Sequence, residues 1–246
     1  PSQPKKWWDA DLSKRSKLTF VQAKDKLREL FLDSVKLHLR SDVPLGVALS
    51  GGIDSSAVAS AVRYLQPDLE LNTFSFIASD KKISEEKWVD ELNTQMHAKA
   101  HKVTANEEEM LASLDDMILM QGEPFGGTGI YAQYRVFNLA KDSGIKVTLD
   151  GQGADELLAG YAGYPGHKIL SIIETKGWFA AHSYAKKWSQ TPGRTYLQAW
   201  LWYGRLKLPN FLYAFFRKLM GRDFKPSWLH IDYLKDSLEQ NHQRYS

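Results

Sequence analysis

Four short stretches that read as strands alternate with stretches of helical spacing between residues 43 and 149, and the two most polar glycine turns each follow one of them directly. The strands are Val43 to Leu49, which is a short apolar run, and Leu69 to Ile77, Lys99 to Val103 and Ile145 to Leu149. Between them Val58, Ala61, Val62 and Leu65 repeat at helical spacing, and Ser84 to Met96, Glu107 to Met120 and Ile130 to Asp142 read as further helices. Phe20, Ala23, Leu27, Leu30, Phe31 and Val35 predict an amphipathic helix over about residues 19 to 40, ahead of the first strand. Strands alternating with helices predict an α/β fold with a parallel sheet covered on both faces. Ligands of such sheets sit beyond the carboxyl ends of the strands. The turns SGGIDSS (50–56) and DGQGADE (150–156) occupy two of those ends.

Composition narrows the function classes. The 246 residues carry 32 Lys and Arg against 29 Asp and Glu, a net charge of +3 that gives no footing for nucleic-acid binding. Without cysteine the chain has no disulfide, thiolate metal site or cysteine nucleophile, which fits a cytoplasmic setting. No apolar run approaches the ~18 residues of a membrane span. The chain starts at Pro1 rather than Met, and a trimmed piece of a longer protein is expected.

The chemistry of the first turn follows from its residue types. Gly51 and Gly52 admit backbone conformations closed to other residues and let a bulky anion approach the main chain. The first N–H groups of the following helix, with the hydroxyls of Ser50, Ser55 and Ser56, make an anion cradle reinforced by the helix dipole. Asp54 would repel a phosphate unless a divalent cation lay between them, and Asp155 and Glu156 offer further oxygen ligands. Polyphosphate with Mg²⁺ is the ligand such a set asks for. Neither GxxxxGK[ST] nor a GxGxxG after a strand is present, which sets aside a Walker-type NTPase and a dinucleotide dehydrogenase. A lone SGG turn also serves as a simple helix N-cap; the second acidic turn favours a site.

SGGIDSS resembles the SGGxDS pyrophosphate loop of the ATP-pyrophosphatase superfamily. With LDGQGADELLAGY (149–161), EPFGGTGIYAQY (123–134) and KKWWDAD (5–11), the chain resembles the synthetase domain of the asparagine synthetase family over about residues 5 to 165. The resemblance implies an adenine nucleotide alpha hydrolase-like fold in residues 1–165, followed by a mostly helical extension in 166–246. It implies a ligase that uses ATP and Mg²⁺ to adenylylate a small-molecule carboxylate, aspartate or an analogue, releases pyrophosphate and lets ammonia displace AMP. Ser50, Gly51, Gly52, Asp54, Ser55 and Ser56 would hold pyrophosphate, and Asp54 and Asp155 the Mg²⁺. Leu49, Phe76, Asp150 and Gly151 would line adenine and ribose, largely through backbone groups. Asp54, Asp155, Glu156 and Gln152 are the residues expected to carry the chemistry. A homodimer is the candidate assembly.

The departures are informative. Where the family has glutamate in the middle of the second turn, facing the acceptor, this chain has Gln152, and the related β-lactam synthetases carry tyrosine. Glutamine is no general base, though it orients groups by hydrogen bonds, so a different carboxylate, a sugar acid or a cyclising substrate, is the alternative reading. A nucleotide-binding module without catalysis is the third, and the intact Asp54, Asp155 and Glu156 argue against it. Thr128, Tyr131 and Gln133 are the candidates for the family's substrate-facing segment. The family's glutaminase domain works through an N-terminal cysteine, so that activity is expected outside this chain, and the lysine beside an RVPFLD-like motif does not appear before Ser246.

Beyond residue 165 the sequence is rich in aromatics, Trp178, Trp188, Trp200, Trp202, Phe211, Phe215, Phe216 and Trp228, interleaved with Lys186, Lys187, Arg205, Lys207, Arg217 and Lys218. A membrane or nucleic-acid surface is conceivable from that composition, but helical spacing with Gly and Pro breaks predicts packed short helices. His97 and His101 are expected to be packing or surface residues, and Lys81, Lys82, Glu85, Glu86 and Lys87 a solvated helix start.

Overall fold

Parallel pairing organises the first part of the chain. A computed structural model describes residues 5–7, 9, 11, 16–161, 163–209 and 212. Helix α1 (Phe20–His38) precedes β1 (Leu45–Ala48), α2 (Ile53–Leu65), β2 (Asn72–Ile77), α3 (Glu86–Gln95) and β3 (Lys99–Thr104). Then come α4 (Glu107–Ala112), α5 (Leu114–Gln121), α6 (Gly129–Asp142) and β4 (Val147–Leu149). All strand pairs are parallel and the order is β3-β2-β1-β4. The chain winds from β1 outward through β2 to β3, then returns to the other side of β1 for β4. The direction of winding therefore reverses between β1 and β4, the place where α/β sheets open a crevice.

Alternation along β2 explains how both faces are covered. Leu71 and Ile77 point into one core with Val47, Leu49, Val58, Val62 and Val89, beneath α1, α2 and α3. Phe74 points the other way, with Val136, Ala140 and Ile145 of α6 and its exit, and Phe76 packs at the edge of that cluster. Thr73 and Ser75 are fully buried polar residues, and each is satisfied: the Thr73 hydroxyl donates to Asn93 Oδ1 at 2.6 Å and the Ser75 hydroxyl to the Leu49 carbonyl at 2.6 Å. His101 stacks on Phe74 at 4.7 Å and bonds Asn72, the packing role expected of it.

Local chemistry trims several elements. Ile145 falls outside β4 because its N–H closes the end of α6 on the Ala140 carbonyl, past the left-handed Gly144. The single helix expected over 107 to 120 is two, α4 and α5, divided at Ser113. Helix α1 begins with a capping box between Thr19 and Gln22, yet Phe20, Leu27 and Leu30 of its apolar stripe are exposed and only Val35 is buried.

The chain divides into two compact units, Pro1–Ala154 and Asp155–Ser246, where the sequence pattern placed the division after residue 165. Among the described residues the second unit holds all but the first residue of α7 (Ala154–Leu158), with α8 (Tyr164–Lys176), α9 (Trp178–Trp188) and α10 (Tyr196–Lys207). Tyr184, Trp188, Trp200 and Tyr203 pack on one small core there, whereas Phe179 is exposed. Trp178 stacks on Trp200 at 6.0 Å, and Ile169, Ala181, Ala185 and Ala199 are fully buried beneath them. Gly166 lets α8 and α10 cross closely, since a Cβ there would lie 2.6 Å from the Trp202 carbonyl carbon. Phe211, Phe215, Phe216, Arg217, Lys218 and Trp228 lie outside the described residues, as does Trp8 of the KKWWDAD segment. Among the described residues no helix is long and apolar enough to cross a membrane.

Candidate nucleotide site

Strand β1 ends at Ala48, and the next six residues turn the chain into α2. Leu49 still belongs to the sheet: it is 1% exposed, its N–H donates to the Phe74 carbonyl at 2.8 Å and its carbonyl accepts from Ser75. Gly51 then takes φ +87, and its Cβ position would touch Glu85 Cβ and the Glu85 carbonyl at 3.1 Å and Val89 at 3.3 Å. The turn therefore fits tightly against the start of α3, and only glycine meets both demands. Lys81 and Lys82 are exposed, but Glu85 supplies a wall of this turn, a part the sequence did not assign to it.

Ser55 ties the turn together from inside. Its hydroxyl accepts from the Ser50 N–H at 3.2 Å, shares a 3.0 Å bond with the Ser50 hydroxyl and donates to the Gly52 carbonyl at 3.2 Å. The Ser56 hydroxyl also donates to the Gly52 carbonyl, at 2.6 Å. These two hydroxyls fasten the loop, while Ser50 is exposed at its rim. Helix α2 opens at Gly52 with no side chain capping it, which leaves its first N–H groups to whatever binds there. An uncapped, thirteen-residue helix with glycines at its mouth has the donor set of an anion site.

The second turn meets the first. Strand β4 pairs with β1 so that Leu149 lies opposite Val47, which brings Asp150 and Gly151 out beside the start of α2. A Cβ on Gly151 would stand 2.7 Å from the Ser55 nitrogen, 2.8 Å from the Asp54 carbonyl carbon and 3.1 Å from Asp54 Cβ. Asp150 forms an Asx turn by accepting the Gln152 N–H at 3.0 Å. Gln152 is exposed and Gly153 takes φ +89. The structure thus brings Ser50, Gly51, Gly52, Asp54, Ser55, Ser56, Asp150 and Gly151 together in two adjacent turns at the carboxyl ends of β1 and β4.

Residues 26–237 match the asparagine synthase family model. The chain belongs to the asparagine synthase family. Asparagine synthetase [glutamine-hydrolyzing] 1 of Bacillus subtilis is 34% identical over 136 residues, 55% of this chain and 21% of that protein. Asparagine synthetase B [glutamine-hydrolyzing] of Escherichia coli is 31% identical over 194 residues, 72% of this chain and 34% of that protein. The chain thus spans about a fifth to a third of the length of these curated relatives. An NH3-dependent NAD synthetase of Campylobacter jejuni, solved with a nitrate ion, matches 56% of this chain and 60% of that chain at 18% identity with a TM-score of 0.39.

The remaining site residues of this asparagine synthase-family chain are placed by other elements. Phe76 is half-buried on β2 with its ring edge-on to Tyr131 at 6.4 Å. Tyr131 is 3% exposed and anchors α6, donating to the Asn106 carbonyl at 2.9 Å and accepting from Arg135, while Gln133 is exposed and Thr128 starts the helix. In the second unit Asp155 is half-buried in α7 and Glu156 is exposed. The Tyr161 hydroxyl donates to Glu156 at 2.7 Å; that bond holds the Glu156 carboxyl below its ordinary range and pushes the Tyr161 phenol up to about 12. Gly160 lies against Asp155: a Cβ there would displace the Asp155 carboxylate from its present position. Tyr161 was missed as a partner of Glu156; its place five residues on, across one short turn, was the available signal. Among the described residues no group of three or more His, Asp or Glu forms a ready metal cage. Mg²⁺ commonly takes one or two carboxylates with substrate phosphates and waters, so the donor set present still fits that ion with a polyphosphate.

Proposed function

We propose that the chain is the synthetase part of an ATP-dependent, amide-forming ligase of the asparagine synthetase type. In this reading a carboxylate attacks the α-phosphorus of ATP, its oxygen bonds to AMP and pyrophosphate leaves. Ammonia then attacks the acyl carbon, AMP departs and a proton is lost, giving the amide. The observation that carries the reading is the contact of Gly151 with Asp54 and Ser55, which sets two strand-end turns against an uncapped helix at the sheet's switch point.

The residues divide the work accordingly. The exposed N–H groups at the start of α2 and the Ser50 hydroxyl bind pyrophosphate, and Ser55 and Ser56 hold that loop in shape. Phe76, the Leu49 edge, Asp150 and Gly151 take the nucleoside. Mg²⁺ would be held by Asp54, with Asp155 keeping the metal role its motif gives it, and would neutralise charge on the leaving group. Glu156, fixed by Tyr161, and Gln152 are left for the acceptor side. Glutamine-derived ammonia belongs to the same proposal, supplied by a glutaminase domain. Gln152 favours a second reading within this chemistry, a carboxylate other than aspartate, because an amide in that position orients groups but does not take a proton.

Calorimetry with Asp54→Ala tests the assignment. Mg·ATP affinity should fall about tenfold or more while AMP affinity stays within about twofold, since the carboxylate acts through the metal at the pyrophosphate. Equal losses for the two ligands would remove Asp54 from the metal role.

A further inference from the structure

Within the second unit, the end of α7 and the turn after it, with α8, α9, α10 and the 191–195 turn, line an open cavity of about 650 Å³. Its walls carry Tyr161, Tyr164, Tyr184, Trp188 and Trp202. Among the described residues that line it are two cations, Lys168 and Arg194, and no carboxylate. Tyr164 and Lys168 are four residues apart on α8 and so share one face of that helix. Arg194 follows Gly193, which turns the chain at φ +73, and its guanidinium lies over the Trp188 ring at 5.2 Å. Neither Lys168 nor Arg194 forms an ion pair with a described residue. Two of the wall residues also touch the acidic pair of α7: Gly160 makes room for Asp155, and Tyr161 binds Glu156.

These features define a ligand by its chemistry. Rigid aromatic walls give broad contact to a flat ring and little to a short linear chain. Two cations with no ion-pair partner and no lining acid among the described residues favour an anion, and a guanidinium offers its fork to a carboxylate. The volume lies in the range of about 300–1,000 Å³ that encloses drug-sized molecules, and a small amino acid such as aspartate would leave most of it empty.

We propose that this cavity binds a carboxylic acid that carries a ring, through stacking on Tyr164, Trp188 and Trp202 and through charge on Arg194 and Lys168. A ring acid has two natural sources, an aromatic acid and a cyclic sugar acid; both combine one carboxylate with a ring whose face can lie on an aromatic wall, planar in the first and lined by C–H groups in the second.

The test is calorimetry of the full chain with 4-hydroxyphenylacetate and galacturonate as the two ring acids, and aspartate and AMP as comparators. One ring acid should bind at least about tenfold more tightly than aspartate, and the better of the two identifies the source. Arg194→Gln, at an exposed position, gives up the guanidinium contact with the Trp188 ring and should weaken that acid about tenfold, and Lys168→Gln by less. AMP binding should be unchanged in both variants. Aspartate binding as well as the ring acids, ring-acid binding indifferent to Arg194→Gln, or AMP binding that falls with it would each overturn the proposal. Ring-acid binding in a chain that takes no nucleotide would keep the cavity and sink the ligase reading. Nucleotide binding through Asp54 without any ring acid would do the reverse.

Discussion

At the SGGIDSS turn nearly every group offered to a ligand belongs to the backbone, and the side chains are small ones that hold the loop from within, whereas the cavity of the helical unit is built from large side chains on three helices and a turn. A backbone site tolerates no added atom but asks little of side-chain volume. A side-chain cavity tolerates conservative change at its walls but depends on the charges at its mouth. The two regions should therefore fail in different ways.

The sharpest break of that comparison is Gly151→Ala. The new Cβ would fall 2.7 Å from the Ser55 nitrogen and 2.8 Å from the Asp54 carbonyl carbon, and both are main-chain atoms that cannot swing aside. Mg·ATP affinity should drop about hundredfold, equivalent to about 3 kcal/mol. Gly153→Ala is the matched control. Nothing lies within 4 Å of its Cβ position and only the left-handed φ of +89 opposes it. It should cost about 1–2 kcal/mol of stability and little affinity. Calorimetric titration and thermal melts of both variants decide it; equal losses of ATP binding would mean that close contact of the two turns does not shape the site.

The contrast between regions also explains which parts could be read from the sequence. The loop was legible because its requirements are local: Gly51, Gly52, Ser55 and Gly151 stand within two short motifs, each directly after a stretch that reads as a strand. Parallel order followed from the alternation of periods, and α1, α2, α3 and α6 fall close to the expected stretches. Tertiary partners left no such trace. Glu85 lies 34 residues from Gly51 in the chain, and nothing in its own surroundings marks it as the wall of that turn. The division of α4 from α5 and the loss of Ile145 from β4 come from single hydrogen-bond choices at Ser113 and Ala140, which apolar spacing does not record. The cavity draws on residues from 158 to 202, and the same aromatic spacing would equally suit a solid core.

A smaller effect separates satisfied from unsatisfied polar groups. The Ser55 hydroxyl is 6% exposed in residue terms and makes three contacts inside the turn, so Ser55→Ala should cost about 1–3 kcal/mol of stability. Trp200 offers the reverse case. Its indole Nε1 is buried without a partner among the described residues, so Trp200→Phe loses some packing area but removes an unpaid desolvation. The net change should stay within about 1 kcal/mol. Chemical denaturation of both variants checks the ordering, and a larger loss for Trp200→Phe than for Ser55→Ala would show that stacking against Trp178 and Tyr203 outweighs the orphaned donor.

The smallest effect concerns the sheet beneath the site. His101 on β3 lies over Phe74, with Nε2 bonded to Asn72 at 2.9 Å and Nδ1 to Ser143 at 3.3 Å. Burial, and then the charge of Lys99, lower its pKa below the ordinary histidine value. The folded state therefore binds fewer protons at this ring than the unfolded chain does. The stabilisation is fully present above the unfolded value of about 6.5 and is lost as pH falls through the lower folded value. Wild-type melting temperature should thus decline between pH 7 and pH 5, and His101→Gln, which keeps a polar group beside Asn72 but cannot titrate, should show a shallower decline by about 1–2 °C from its own lower baseline. The second unit offers a contrast at alkaline pH. Tyr161 is held at about 12 and Glu156 below its ordinary range by a bond exposed to solvent, so neither group should add a feature between pH 5 and 9. Parallel slopes for wild type and His101→Gln would show that other groups, not this ring, set the acid limb.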